Sequence, residues 1–335
     1  MQNAQNDTLN FFPTNRTGPF WTAFLAKGYT IEEARLNDKA MIRMVSPNGS
    51  RWVTSTNIAY PMISSYAQHI ASDKFAMYMV ARNAGLQSPD TQLLTPGESP
   101  TADLIERHGT VIVKPLDSYG SKGVSLNINT ETDLIKAITE ARNVSKNILI
   151  QQQVDGDELR FTILNGKVVS VLQRQSPRVV GDGVSTIARL IHQENQAREL
   201  LKFEFITYPQ LTAEIIDESW LKDETIPESA EVVQLSRATM VKKGASIFDV
   251  FDEVHDTYKQ AAENLALALG TDFITVDIFI QDYEKPLASD SYWFNECNTA
   301  PALRLYYADK NNRGPAVAEA IINTMDAMLQ SERSV

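Results

Sequence analysis

Cysteine occurs once in 335 residues, at Cys297. A single thiol excludes an internal disulfide and a zinc cluster built on cysteines. It fits a reducing compartment, and a cytoplasmic location is expected. Long apolar runs are missing as well. No stretch approaches the roughly 20 residues that a membrane helix needs. The opening residues, Met1 to Asn10, are polar and lack the apolar centre of an export signal. Basic residues are in deficit: 31 Lys and Arg stand against 42 Asp and Glu, a net charge of −11. Non-specific nucleic-acid binding needs many phosphate-neutralising cations. Neither nucleic acid nor a membrane is therefore an expected partner. No internal repeat or low-complexity tract is present, and neither is a Walker A loop, Gly-x-x-x-x-Gly-Lys-Ser/Thr. What remains is ordinary globular material, 43% hydrophobic and 22% charged. It suffices for two or three lobes with real cores.

One stretch joins a strand to a charged loop. Val111-Ile112-Val113-Lys114-Pro115 is a β-rich apolar run ending in Lys-Pro, followed by Leu116-Asp117-Ser118-Tyr119-Gly120-Ser121-Lys122-Gly123-Val124. The strand delivers Lys114 to a fixed place, where its ammonium is a point charge suited to a phosphate oxygen. Gly120 and Gly123 let the backbone turn and approach a ligand. Backbone N–H groups and the hydroxyls of Ser118 and Ser121 can then cover a polyphosphate, with Lys122 beside them. The plain alternative is a basic strand followed by a flexible hairpin loop.

Residues 272–280 and 292–298 are apolar runs of strand length interrupted by acids. A buried carboxylate is costly unless paired or metal-bound. Strand alternation places Glu296 and Asn298 on one face and Cys297 on the other. Asp277, Glu296 and Asn298 make an all-oxygen set suited to Mg²⁺, which takes one or two carboxylates plus substrate phosphates. The alternative is a pair of strand-end acids satisfied by lysines.

Lys114-Pro115-Leu116-Asp117-x-x-Gly120-x-Lys122-Gly123-Val124, then Val276-Asp277, then Asn295-Glu296-Cys297-Asn298, resembles the ATP-grasp ligases. Residues 179–187 and Val254-His255 resemble the branch of cyanophycin synthetase and bifunctional glutathione synthetase. The resemblance covers roughly residues 70 to 330. It implies an α+β ATP-grasp fold in which two subdomains hold ATP between them. Residues 1–70 would be a leading region, 71–150 the first subdomain and 151–335 the second. Lys74, in Ser72-Asp73-Lys74, would be the first basic contact to the nucleotide. Backbone groups around Gln151, Gln153 and Val154 would read the adenine edge, and Glu158 would accept from the ribose hydroxyls. The family usually has Glu where this chain has Gln151. Arg160 and Arg174 would lie near the acceptor carboxyl or the transferred phosphate. Arg304 resembles the arginine of the family's Pro-Gly-Leu-Arg turn, with Ala302 in place of the glycine. Asp277, Glu296 and Asn298 would hold two Mg²⁺ ions, with Mn²⁺ as the alternative ion.

The implied reaction is phosphorylation of a carboxylate by ATP, then displacement of phosphate by an amine. The substrate would be an amino acid or a peptide, and homo-oligomerisation is left open. The rivals are a peptide macrocyclase or modifying enzyme, a non-catalytic ATP-binding module and a kinase that stops at phosphorylation. Nothing in the chain resembles the Mur-ligase-like half of cyanophycin synthetase, so two-step polymer synthesis by it alone is not expected.

Local signals complete the reading. Asn165-Gly166 predicts a type I′ hairpin. Helices are expected over residues 131–142, 256–269 and 316–329, and a helix end over 31–36. Ser72 and Ser185 are read as N-caps. The N–H groups of the helix after Ser185 are a candidate anion site for a substrate carboxylate. His255 is read as a cap or a packing residue.

Overall fold

The structure is a computed structural model that describes residues 14–36, 39–55, 60–101, 103–117, 122–201, 203 and 205–331. Helix α1 (Thr14–Ala26) leads into an antiparallel sheet of β1 (Thr30–Leu36), β2 (Lys39–Val45) and β3 (Arg51–Ser55). Residues 31–36, expected as a helix end, are a strand. Their Glu, Ala, Arg and Leu favour helix locally. Pairing with β2 along the whole run, from Thr30–Val45 to Leu36–Lys39, overrides that preference.

Helices α2 (Ser65–Ala71) and α3 (Lys74–Asn83) follow. Ser72 closes α2 and does not open α3. Asp73 is the cap, its carboxylate accepting from the N–H groups of Phe75 and Ala76. An ionised cap also meets the positive end of the helix dipole.

The next unit is a four-stranded sheet flanked by two helices. Its elements are β4 (Thr91–Leu94), α4 (Asp103–His108), β5 (Val111–Pro115), β6 (Ser125–Ile128), α5 (Glu131–Arg142) and β7 (Ile148–Gln152). The strand order is β4-β7-β5-β6. Val111, Val113, Ile148 and Ile150 face α5 and pack on Leu134, Ala137, Ile138 and Ala141. Lys114, alternating with Val113, leaves that core for the other face of the sheet.

The rest of the chain builds a five-stranded sheet. It comprises β8 (Asp157–Leu164), β9 (Lys167–Gln175), β10 (Arg178–Val180), α6 (Ile187–Leu200), β11 (Val232–Gln234), β12 (Ser246–Asp249), α7 (Asp256–Ala268), β13 (Phe273–Ile280), β14 (Tyr292–Asn298), α8 (Arg304–Tyr307) and α9 (Gly314–Ser331). The order in the large sheet is β12-β9-β8-β13-β14, and β10 pairs with β11 alone. Asn165 and Gly166 both have positive φ, 52° and 74°, as the predicted hairpin turn requires. One face of the sheet buries Leu159, Phe161, Ile163, Val276 and Ile278 against Tyr258, Ala262 and Leu265 of α7. Full burial of each large apolar side chain stabilises by about 1.5–3 kcal/mol. His255 caps α7.

The segment between β9 and β12 has a small core of its own around Val179, Ile187, Leu190, Ile191 and Leu211. The N-terminal segment shares its core with the C-terminal one: Phe20, Trp21 and Phe24 join Phe273, Tyr306, Ile321 and Met325. Tyr29 donates to Asp326 Oδ1 at 2.6 Å, and Lys27 pairs with the other oxygen at 3.2 Å. Among the described residues no helix is long and apolar enough to cross a membrane.

Candidate functional site

The second face of the large sheet is polar, and strand register makes it so. Arg160 of β8 stands opposite Asp277 of β13, Asp277 opposite Glu296 of β14, and Glu158 opposite Arg174 of β9. Pairing then steps from Asp277–Glu296 to Ile278–Phe294, leaving Asn295 as the extra residue of a β-bulge. Strict alternation would put Phe294 and Glu296 on one face. The bulge turns Phe294 into the apolar core and keeps Glu296 beside Asp277.

Arg160 and Asp277 form a bidentate pair: Nε donates to Oδ1 at 2.7 Å and Nη2 to Oδ2 at 2.6 Å. Their side chains are 5% and 0% exposed. Arg174 donates to Glu158 Oε1 at 2.7 Å and lies 3.7 Å from Asp277 Oδ2. Burial works against the charge on Arg160, but Asp277 outweighs it and holds the guanidinium above its ordinary value. Burial pushes the Asp277 carboxyl up, yet Arg160 and then Arg174 draw it below the usual carboxylate value. Glu296 is the uncompensated member. Burial, and next the Asp277 carboxylate, raise it above its usual value. Among the described residues its carboxylate makes no hydrogen bond or ion pair.

Across the cleft, β5 and α3 supply cations. Lys114, 8% exposed, donates to the Tyr78 hydroxyl at 2.9 Å. Lys74 donates to the carbonyl of Leu116 at 3.1 Å. Burial and then the Lys114 ammonium push Lys74 below its ordinary value, while Glu296 and Asp117 act in the opposite sense. Lys74 is thus within electrostatic reach of both Lys114 and Glu296, and Tyr78 of the same helix bonds Lys114 of β5 while touching Phe294 of β14. Gly123 has φ +74°, and a Cβ there would stand 2.9 Å from Pro115 Cγ, so the loop returns tightly over the end of β5. Lys122 beside it is exposed. Ser118, Gly120 and Ser121 lie outside the described residues.

Between the sheets runs residues 151–157. Gln151 is 2% exposed, and its amide donates to Thr91 Oγ1 at 2.8 Å. The Gln153 amide exchanges two 2.8 Å bonds with Asn127, and its backbone N–H donates to the carbonyl of Thr110. Both glutamine side chains therefore lock the link to the four-stranded sheet. Val154 is half-buried where that sheet ends. Gly156 has φ +144°, and a Cβ there would meet the Ile280 carbonyl oxygen at 2.7 Å. Only glycine lets the link pass so close to the end of β13.

Two further expected residues follow Glu296 along the chain. Asn298 Oδ1 accepts from the Ala300 N–H at 2.9 Å, turning the chain after β14. Arg304 is half-buried at the start of α8, and Tyr306 two residues on shares a 2.7 Å bond with Thr162. The anion site expected after Ser185 is overturned. Thr186 is the cap of α6. The Ile187 and Ala188 N–H groups donate to the carbonyls of Thr225 and Asp223, and the Arg189 N–H to Thr186 Oγ1. Asp182 Oδ1 takes the N–H groups of Val184 and Ser185. The helix start is closed by its own neighbours.

Tyr78 and Tyr306 were not singled out from sequence. The signal for Tyr78 was its spacing, four residues after Lys74 on one helix. Tyr306 had no local signal.

Among the described residues no three His, Cys, Asp or Glu side chains form a ready-made metal cluster. The donors nonetheless suit a hard cation. Three carboxylates, Glu158, Asp277 and Glu296, crowd two guanidinium groups, and the raised Glu296 is the acid left over.

Residues 71–185 match the family model of the RimK-like ATP-grasp domain. The chain has the ATP-grasp fold. It is 27% identical over 232 residues to cyanophycin synthetase of Trichormus variabilis, covering 67% of this chain and 25% of that protein. It is 27% identical over 260 residues to the glutathione biosynthesis bifunctional protein of Mannheimia succiniciproducens, covering 73% of this chain and 34% of that one. The crystal structure of a bifunctional glutathione synthetase from Pasteurella multocida has the same fold, with a TM-score of 0.63 at 22% identity over 93% of this chain and 43% of that chain. The aligned part is 25% and 34% of the length of those two curated relatives. The α+β ATP-grasp architecture read from the motifs is thus the architecture found. The matched stretch of the ATP-grasp domain holds Lys74, Lys114, Gln151, Glu158, Arg160 and Arg174, and β13 and β14 lie beyond it.

Proposed function

We propose that this chain is an ADP-forming carboxylate–amine ligase acting on an amino acid or peptide. The observation that carries the reading is the meeting of Lys114 on β5 and Lys74 on α3, which donates to the Leu116 carbonyl just beyond β5, with the acid–arginine patch of the large sheet. Relatives named as a cyanophycin synthetase and a glutathione biosynthesis protein are consistent with it.

In this reading Lys114 and Lys74 take oxygens of the triphosphate, and Gly123 lets the loop of Lys122 close over them. Backbone groups of the 151–154 link face the adenine, and Glu158 accepts from the ribose hydroxyls. Asp277, Glu296 and Asn298 would hold Mg²⁺, which supplies neutralisation of charge developing on the β- and γ-oxygens. Arg174 and Arg304 hold the substrate carboxylate and the transferred phosphoryl group. Arg160, locked on Asp277, orients that carboxylate. A substrate carboxylate oxygen attacks the γ-phosphorus and ADP leaves. The amine nitrogen then attacks the acyl carbon, loses a proton and expels inorganic phosphate. Such transfer asks the protein for positioning and charge more than for a nucleophile of its own.

The test is a screen of acids, amines and peptides for ADP release, with products identified by mass spectrometry. The expected result is ADP and amide in a one-to-one ratio, dependent on both acid and amine. ADP release with the acid alone and a stable phosphorylated product would refute the ligase reading in favour of a kinase.

A further inference from the structure

We propose that Tyr78 is a positioning residue that aims the Lys114 ammonium at the phosphates of a nucleotide; this rests on the reading of Lys114 given above. The Tyr78 hydroxyl accepts from Lys114 Nζ at 2.9 Å, and the two residues are 3% and 8% exposed. Among the described residues Lys114 forms no ion pair. Its partner is a neutral oxygen. A carboxylate there would cancel the ammonium charge and compete with an incoming phosphate. A phenol oxygen occupies one of the three ammonium donors and leaves the charge uncancelled.

Lysine reaches its target on a flexible four-carbon stem, so a phosphate ligand gains from a fixed head group. Tyr78 is itself fixed. It lies one helical turn after Lys74 on α3, so one helix face brings both residues to β5. Its ring meets Phe294 edge to face at 5.9 Å and 85°. Phe294 is the residue that the β-bulge turns inward from the strand of Glu296. Tyr78 therefore ties together the elements that carry Lys74, Lys114 and Glu296.

A core tyrosine that merely satisfies a buried lysine would be needed for stability and indifferent to phosphate number. The experiment separates the two roles. Affinities for AMP, ADP and ATP are measured by calorimetry in Mg²⁺ for wild type, Tyr78→Phe, Lys114→Met and the double variant, with melting temperatures alongside. Phe keeps the ring against Phe294, so the fold is retained. Tyr78→Phe is expected to weaken ATP and ADP by roughly ten-fold, the scale of one hydrogen bond to a charged group, and to leave AMP unchanged. In the Lys114→Met background the same change is expected to have no further effect. Equal losses for all three nucleotides, unchanged ATP affinity, or the same loss with and without Lys114 would overturn the proposal while leaving the role of Lys114 intact. If wild type gains nothing from AMP to ATP, or Lys114→Met keeps that gain, the reading of Lys114 falls and this proposal with it.

Discussion

Asp277→Asn is the substitution whose outcome the structure constrains most. Asp277 and Arg160 are fully enclosed and joined by two charge-assisted bonds of 2.7 and 2.6 Å. Asparagine keeps one acceptor and replaces the other with an amide that faces a guanidinium N–H. Arg160 is then a buried cation without its counter-charge. Breaking a buried pair from one side costs about 3–5 kcal/mol. With an unfolding entropy of roughly 2.1 cal/mol/K per residue, 335 residues give about 0.7 kcal/mol/K. Treating the chain as one cooperative unit, the melting temperature should fall by about 4–7 °C. Replacing both partners with apolar residues, Arg160→Met with Asp277→Leu, should recover most of the loss, because the desolvation of two charges vanishes with them. Arg174 keeps Glu158 as its partner in that double variant. Calorimetric melting of the wild type, both single variants and the double gives the coupling directly. An Asp277→Asn protein within about 1 kcal/mol of wild type, or a double variant as unstable as the single, would refute the reasoning. Any loss of turnover in Asp277→Asn therefore mixes stability with catalysis, and Glu296 is the cleaner probe of the proposed metal set.

Glu296→Gln should melt near wild type, since no bond to that carboxylate is lost, and should reduce turnover by about two orders of magnitude or more; wild-type turnover would sink the metal assignment. Asn298→Ala should lower kcat more than ATP affinity, and the opposite split in steady-state kinetics would argue against it. Gly156→Ala should cost about 1–3 kcal/mol and weaken nucleotide binding, because φ +144° is strained for alanine and its Cβ meets the Ile280 backbone; unchanged urea denaturation would contradict this. Trypsin cleavage after the exposed Lys122 should slow under saturating Mg·ATP, and equal rates with and without nucleotide would count against loop closure. Asp326 sits below the ordinary carboxylate value of 3.8, burial pushing it up while Tyr29, Gln330 and Lys27 pull it down. Its folded pKa is the lower one, so its contribution is complete above 3.8 and is lost as pH falls through the depressed value. Asp326→Asn should accordingly lower stability at neutral pH and flatten its acid limb below about pH 4, and an unchanged limb in denaturant titrations would disprove the linkage.

What the sequence determined by itself is whatever depends on neighbours along the chain. Asn165-Gly166 specifies its own turn because both residues tolerate positive φ. The apolar stripe of residues 131–142 specifies a helix with the bounds that are found. The runs before Lys114 and around Asp277 and Glu296 specify strands, and the motifs they carry resemble those of the ATP-grasp ligases, which is what implies the fold. The tertiary structure decided what those strands do with their charges. Arg160 and Asp277 are 117 residues apart, and only the register of β8 on β13 makes them partners. Only the bulge at Asn295 turns Phe294 inward and leaves Glu296 with the acids. Ser72 and Ser185 look like caps as residue types, yet the geometry of the chain around them awards the role to Asp73 and Thr186. The start of α6 is closed by the carbonyls of Asp223 and Thr225, more than 30 residues on, which no local pattern announces. Backbone preferences and periodicity are local energies, legible one residue at a time. Which carboxylate is neutralised, and which is left over, depends on distances that exist only after the strands have paired.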